Sequence, residues 1–572
     1  MNMQETMSFT ENNGENNGAV LKSVTGRLYT ENGKFYVYGD CGETIEVDGA
    51  VPNGYKDGDK VALDIKAEGV VFTENFGPSA EAEPNLKAML RRGGFDKPFE
   101  ADALMEAKAA AFTEITARMA KRTDLRGKTI ITLSETENSR TECGFSVELD
   151  KENHYILGIH TVDVAEFVDK GSPLEKAIFS RRKTVMLPSR EIPMLPESLT
   201  KGPCFLEVGA DRLAVSYFLT VDENGNVLSF DFCESVINTA ANCLFGEIEA
   251  LFLDYDTSAI MPLRKAYASV FPTIANMFSL GAALQNARAI RGGADIDKAK
   301  RCFLYSRHGG KPIGIAFRKD SDPRRLIREF LSVAGQELAA ALYKNDMPCL
   351  YRVQAEPTAE AIARFRNHAE LVGVDTEPYG DKELFAAVAD SIRGIREEEL
   401  LLSDLHSLLP ETDFDQNPHT HFIHNTDMYT RFAYPLNRCA DFAMQRIVKA
   451  VIAKSEQMDL LREKSEESLL AAKGEKDVNR CEKQAEDLVA LDCLKRDREK
   501  DYCGLVKSIT ADGVTLLLNN GCVGKLTAES VEKLNAADET AVIGGKICRF
   551  GTELKVRFAS VDFESATLYV DA

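Results

Sequence analysis

The chain of 572 residues contains no tryptophan and only eight histidines. Without indoles it has no intrinsic tryptophan fluorescence. No run of about 18 apolar residues occurs, so no segment reads as a membrane-spanning helix. The first eighteen residues, MNMQETMSFTENNGENNG, lack the apolar centre of a signal peptide and read as a disordered polar tail. None of the 13 cysteines forms a C-x-x-C pair, and their number is odd. That argues against a disulfide framework and for reduced thiols in a cytoplasmic protein. Cations are in deficit: 69 Lys and Arg stand against 90 Asp and Glu, a net charge of −21. Taken globally this repels a polyanion, yet it leaves room for a locally basic channel.

What is present suggests several domains, because the chain is too long for one core. Residues 19–73 alternate apolar and polar positions around the turn ENGK, and five short strands there predict an OB-type barrel. Phe35, Tyr36 and Tyr38, around Val37, place aromatic rings on a strand where bases could stack. Residues 74–125 read as a polar linker followed by one helix, EADALMEAKAAAFTEITARMAKR. Residues 126–450 put strands first and helices later, an α+β order. The segment RLAVSYFLTVDENGNVLSFDF predicts a hairpin at DENGN, and Pro272 breaks or kinks the helical run that contains it. Residues 451–500 are a charged helical segment in which Gly474 separates two helices. Residues 501–572 return to strands, a second OB-type barrel.

Several motifs are more specific. REIPMLPESLTKGPC (190–204) resembles the central motif of the ribonuclease II / ribonuclease R family of 3′→5′ exoribonucleases. RTDLRG (122–127), GIHTVDVAEFV (158–168), GSPLEKAIFSRRKTVMLPS (171–189), DRLAVS (211–216), RRLIREFLSVAG (324–335), LYRVQAEP (350–357) and HFIHNTDMYTRFAYPLNRCAD (421–441) match the family in order and spacing. Collinear matches over about 450 residues far exceed a lone short motif in specificity. The resemblance implies a multidomain α+β protein: an N-terminal cold-shock-like OB barrel, a central RNB domain and a C-terminal OB barrel. It also implies single-stranded RNA as the partner. In the family, Mg²⁺ held by four aspartates activates water at the channel floor, and an arginine of an S-P-I-R-R segment stabilises the transition state.

In this chain the acidic run D-x-x-x-x-x-D-x-D-D falls on residues 132–145. Aligned without gaps through Arg140, the four aspartate positions become Glu135, Thr141, Cys143 and Gly144. A one-residue shift gives Thr136, Glu142, Gly144 and Phe145. Neither register restores the oxygen ligands that Mg²⁺ requires. The arginine position falls on Asn437, which carries no charge and no guanidinium fork. The resemblance therefore implies a pseudonuclease, an RNA-binding channel without intact catalytic residues and with no cofactor. One alternative is an active exoribonuclease in which Glu135, Glu137 and Glu142 rebuild an Mg²⁺ site. Another is a protein-interaction scaffold that has abandoned the channel. By the same resemblance the candidate RNA-binding residues are Arg181, Phe245, Glu329, Arg352, Tyr429, Arg438, Arg446 and Glu486. Arg328 replaces the second carboxylate of the family's L-I-E-E pair. His419, His421 and His424 lack an acidic or thiol partner nearby and read as structural rather than metal ligands.

Overall fold

The computed structural model describes residues 20–47, 51–113, 115–137, 139–252, 257–306, 310–454 and 458–572. The polar tail expected over 1–18 lies outside the described residues. At the N-terminal end, strand Val20–Glu31 pairs with Lys34–Gly39 on one side and Asp59–Lys66 on the other, with Thr44–Val47 and Gly69–Pro78 at the edges. The ENGK turn works because Asn32 and Gly33 both take positive φ, the backbone a two-residue hairpin loop needs. Val24, Leu28, Val37, Val61, Leu63 and Ile65 form a small separate core. Tyr36 stacks on Tyr29 at 5.4 Å, while Tyr38 stays exposed.

The central sheet runs Asp211–Val221, Tyr155–Val162, Cys143–Leu149, Ile130–Ser134, Val227–Leu244 and Thr123–Asp124. Val227–Leu244 also pairs with Asp211–Val221, which returns the sheet to its first strand. The hairpin turns where DENGN lies, and the Asp222 carboxylate accepts from the Asn224 and Asn226 amides. Strand alternation sends Cys143, Phe145 and Val147 into the largest core. Helices Phe271–Ile290, Asp322–Lys344 and Cys439–Ile452 supply the other side of that core. The run containing Pro272 does break, into Thr257–Ala266 and Phe271–Ile290, and Pro272 stands in the first turn of the second helix, where no N–H is needed from it.

Two differences from the sequence reading concern helices. The run from 100 to 122 is not one helix but Ala101–Ala111 and Thr116–Met119. Within the stretch read as a linker, Ala82–Gly93 is a helix packed on Glu475–Arg496. An insert of three helices, Ala359–Leu371, Asp381–Ser391 and Glu398–Leu408, has its own core, shared with Leu517 and Phe550. Gly474 separates Met458–Lys473 from Glu475–Arg496, and a Cβ there would lie 2.5 Å from the Arg182 guanidinium. Strands Asp501–Thr510, Gly513–Leu518, Val523–Leu526, Thr567–Asp571 and Glu553–Asp562 close into a barrel.

Candidate functional site

The acidic loop joins strands Ile130–Ser134 and Cys143–Leu149, which pair at Ile131 and Phe145. Its three glutamates are scattered. Glu135 is exposed and bound to Arg324 and, at 3.5 Å, to Arg318. Glu137 is also exposed. Glu142 turns inward and is 4% exposed. Among the described residues, the groups of three or more whose ligand atoms converge within 4.8 Å are Asp150–Glu152–His154 and Asp163–Glu166–Glu234. Neither contains a residue of the acidic loop.

The other positions of the run are equally poor ligands. Thr141 uses its carbonyl to accept from the Leu206 amide at 3.0 Å. Cys143 packs in the core, where burial pushes its thiol up, away from the thiolate that would bind a metal. A Cβ on Gly144 would sit 2.8 Å from Ile130 Cγ2, so a carboxylate has no room there without a shift. The residues present do not fit an Mg²⁺ pair.

Glu142 has a different employment. Its carboxyl accepts from the Leu436 amide at 2.6 Å and from the side-chain amide of Asn437. Burial outweighs both hydrogen bonds and pushes its pKa up to about 8. At neutral pH the group is mostly a neutral acid. The Asn437 carbonyl accepts from the Thr184 amide at 2.9 Å, tying the same turn to the chain after the motif helix Pro173–Arg181. Thus Glu142, of the shifted register, meets Asn437, and Glu135, Thr141, Cys143 and Gly144 do not join them as ligands.

Beside this contact lies a group of cations. Arg438 opens helix Cys439–Ile452, stands 5.2 Å from the Tyr434 ring and has no ion pair among the described residues. Arg352 donates to the Thr412 hydroxyl and lies over Phe414 at 4.7 Å. Burial, then repulsion by Arg431 and Arg438, brings Arg352 down to about 10. Arg431 itself is neutralised by Glu475 at 2.6 Å and Asp441 at 3.5 Å. Tyr429 packs against His421 and His424, and its backbone carbonyl accepts from the Arg352 amide. Burial brings His421 down to about 2 and His424 to about 4, so these rings are neutral packing groups.

The remaining candidates are occupied within the protein. Arg181 donates to the carbonyls of Lys97 and Pro193 and covers the Phe99 ring at 3.7 Å. Arg446 donates to the Val168 carbonyl and pairs with Glu175 at 3.1 Å. Glu329 pairs with Arg288 at 2.9 Å, and Glu486 faces Arg301 at 3.8 Å. Arg324 lies over Phe245 at 4.5 Å. Sequence reasoning missed the buried knot in which Arg122 and Lys449 hold Asp163, Glu166 and Glu234. Its cations already fill the acidic group, and its members are too far apart in the chain for a local pattern to reveal it.

A family model described as RNB domain matches residues 122–454. Ribonuclease R 1 of Lactococcus lactis is 23% identical over 86% of this chain and 61% of its own length. The chain thus spans less than two thirds of that relative. The structure of Mycoplasma genitalium RNase R in complex with ribose methylated single-stranded RNA superposes with a TM-score of 0.83 at 18% identity. The match covers 97% of this chain and 90% of that one. Yeast Ssd1, described as a pseudonuclease, superposes with a TM-score of 0.68 at 16% identity, covering 91% and 67%. At these identities the structural matches establish the fold.

Proposed function

The chain belongs to the RNB-domain family, and from that premise we propose that it binds single-stranded RNA with its hydrolytic activity lost or strongly reduced. The observation that carries this reading is the Glu142–Asn437 contact. Phosphodiester hydrolysis needs charge held against the reacting phosphate. Here the one inward-facing glutamate of the acidic loop, among the described residues, is largely neutral at pH 7 and spent on an asparagine and a backbone amide. The arginine fork that would answer developing charge is absent at 437.

Binding needs less. Arg352 and Arg438 stand near this turn without a carboxylate partner among the described residues, a setting that attracts phosphate oxygens. The names of the structural relatives accord with both halves of the proposal, one holding single-stranded RNA and one called a pseudonuclease. In this reading 126–450 is the RNB body, and 19–73 and 501–572 are OB-type modules that grip RNA outside it. The thirteen unbridged cysteines suit a reducing cytoplasm.

The test uses a 5′-labelled single-stranded RNA of about 30 nucleotides, incubated with the protein in Mg²⁺ or EDTA and run on native and denaturing gels. A shifted, uncut RNA indifferent to EDTA is expected. A ladder shortening from the 3′ end only in Mg²⁺ would overturn the loss of activity. No shift in either buffer would overturn RNA binding and favour the scaffold.

A further inference from the structure

A cleft of about 380 Å³ opens where the three-helix insert meets the central body. Its walls are the C-terminal end of helix Phe271–Ile290, helices Asp381–Ser391 and Glu398–Leu408, and the segment 420–427. That volume lies toward the lower end of ligand sites, about 300–1,000 Å³, and suits one large side chain with its neighbours. The floor is apolar. Phe385 stacks on Phe365 at 5.3 Å and meets Phe422 edge-on at 5.4 Å, and Leu405 and Ile296 belong to the same apolar cluster. Ile290 stands at the lip and is 78% exposed.

The rim is acidic. Glu356, Glu383 and Asp427 line the cleft against a single arginine, Arg291. Glu383 and Asp427 are exposed and have no ion pair among the described residues, and Asp427 accepts from the Thr420 hydroxyl at 3.4 Å. An apolar floor under an acidic rim decides which occupant fits. RNA is a polyanion and would meet the rim with like charge. Residues 1–18 hold three glutamates and no Lys or Arg, so the rim repels them as well. A second copy of this chain brings a net charge of −21. What complements the cleft is a cationic segment that also carries a large apolar side chain.

We propose that this cleft docks a short basic segment of a partner protein, in which one large apolar side chain enters between flanking Lys or Arg residues. The apolar side chain reaches Phe385 and Phe422, and removing that surface from water supplies most of the affinity. The flanking cations meet Glu383 and Asp427 at the rim, where they fix orientation and reject anionic segments. Phe385 and Leu405 belong to the insert and residues 420–427 to the body, so an occupied cleft holds the two together. The site is independent of the RNA proposal and uses none of Arg352, Tyr429 or Arg438.

Calorimetry on the full chain with end-blocked pentapeptides tests this, the peptides being Lys-Lys-Phe-Lys-Lys, Lys-Lys-Ser-Lys-Lys and Glu-Glu-Phe-Glu-Glu. The first should bind, and the serine and glutamate peptides should bind at least about ten-fold more weakly. Ala386→Trp, which fills the cleft from helix Asp381–Ser391, should weaken the first peptide at least about ten-fold as well. Glu383→Gln/Asp427→Asn should weaken it about three-fold or more and flatten its salt dependence. Both side chains are exposed, so this pair reads the charge even where the tryptophan variant fails to fold. Glu223→Gln/Glu499→Gln removes two exposed carboxylates elsewhere and should leave binding unchanged. Labelled-RNA affinity should change by less than about three-fold in every variant. The proposal falls if the phenylalanine peptide does not bind, or if the serine peptide binds as well. It falls if Glu223→Gln/Glu499→Gln weakens binding as much as Glu383→Gln/Asp427→Asn, since the attraction is then to the net charge of the chain. It falls too if Ala386→Trp weakens RNA and peptide together, because the cleft is then part of the RNA track. RNA failing to bind the wild type while the peptide binds would sink the RNA proposal and leave this one standing.

Discussion

Glu142 and Asn437 stand 295 residues apart in the chain, and the Asn437 amide donates to the Glu142 carboxyl. The acidic loop and the turn at 434–438 therefore meet through a side-chain amide and a largely neutral carboxyl. Glu142 is buried, and the Leu436 amide donates to its other oxygen. The contact joins the acidic loop to the turn before helix Cys439–Ile452.

That joint should be visible in the pH dependence of stability. The folded Glu142 keeps its proton up to about pH 8, whereas the unfolded chain releases it near the ordinary carboxylate range. Between those limits the folded state binds more protons, so this group makes the unfolding free energy fall as pH rises. Glu142→Gln, neutral at every pH, should flatten the profile and gain most over wild type near pH 8. Urea denaturation from pH 5 to pH 8.5 reads this, and parallel profiles would refute it.

Reverting the acidic run should unfold the protein sooner than it restores a metal site. Cys143 is 6% exposed among Phe145, Val147 and Tyr217. An aspartate there would bury an unpaired carboxylate, a change expected to cost more than about 3 kcal/mol. Thermal denaturation of Cys143→Asp should show a fall of several degrees, and wild-type stability in that variant would contradict the placement.

The cations divide into two kinds. Arg352→Ala and Arg438→Ala should weaken RNA binding and each lower the salt slope of affinity by about one. Arg181→Ala and Arg446→Ala should instead lower stability, because those side chains hold the Lys97, Pro193 and Val168 carbonyls. Fluorescence anisotropy with labelled RNA at several salt concentrations, beside a melting curve for each variant, separates them. The reverse pattern would exchange their roles.

A buried histidine joins the helical insert to the C-terminal region. His368 faces Asp404 at 2.8 Å and Glu539 at 3.0 Å, lies flat on Phe550 at 4.0 Å, and has Arg364 beyond Glu539. Burial alone would lower its pKa, but the two carboxylates prevail and raise it. Its stabilisation is therefore full below the unfolded pKa near 6.5 and is lost as pH rises through the folded value. Hydrogen exchange of 513–518 and 540–550 should quicken with pH beyond the intrinsic rate in wild type. It should be fast and without that extra dependence in His368→Gln.

Much was legible without coordinates. Hairpins at ENGK and DENGN, the break at Gly474 and the strand-then-helix order all rest on local signals: positive-φ residues, alternation and helical period. The absent aspartates and arginine were equally plain, since a missing residue type needs no geometry. The single helix read across 100–122 failed because composition favoured it throughout while the chain turns at Phe112. The insert of 359–408 passed unread for lack of a motif.

The sequence by itself determined that the chain carries an RNB-type body with strands on either side, and that residues 132–145 hold glutamates but no aspartate. Only the tertiary structure decided what the remaining charges do. An arginine left without an ion pair and one bound to backbone carbonyls look alike in sequence. Arg181 and Arg438 differ only in what the folded chain brings within about 3 Å of their guanidinium groups. In the same way, Glu142 became a buried neutral acid and Glu356, Glu383 and Asp427 came to line one cleft because chain closure set their surroundings. Burial and partners fix ionisation, and neither is a local property of the chain.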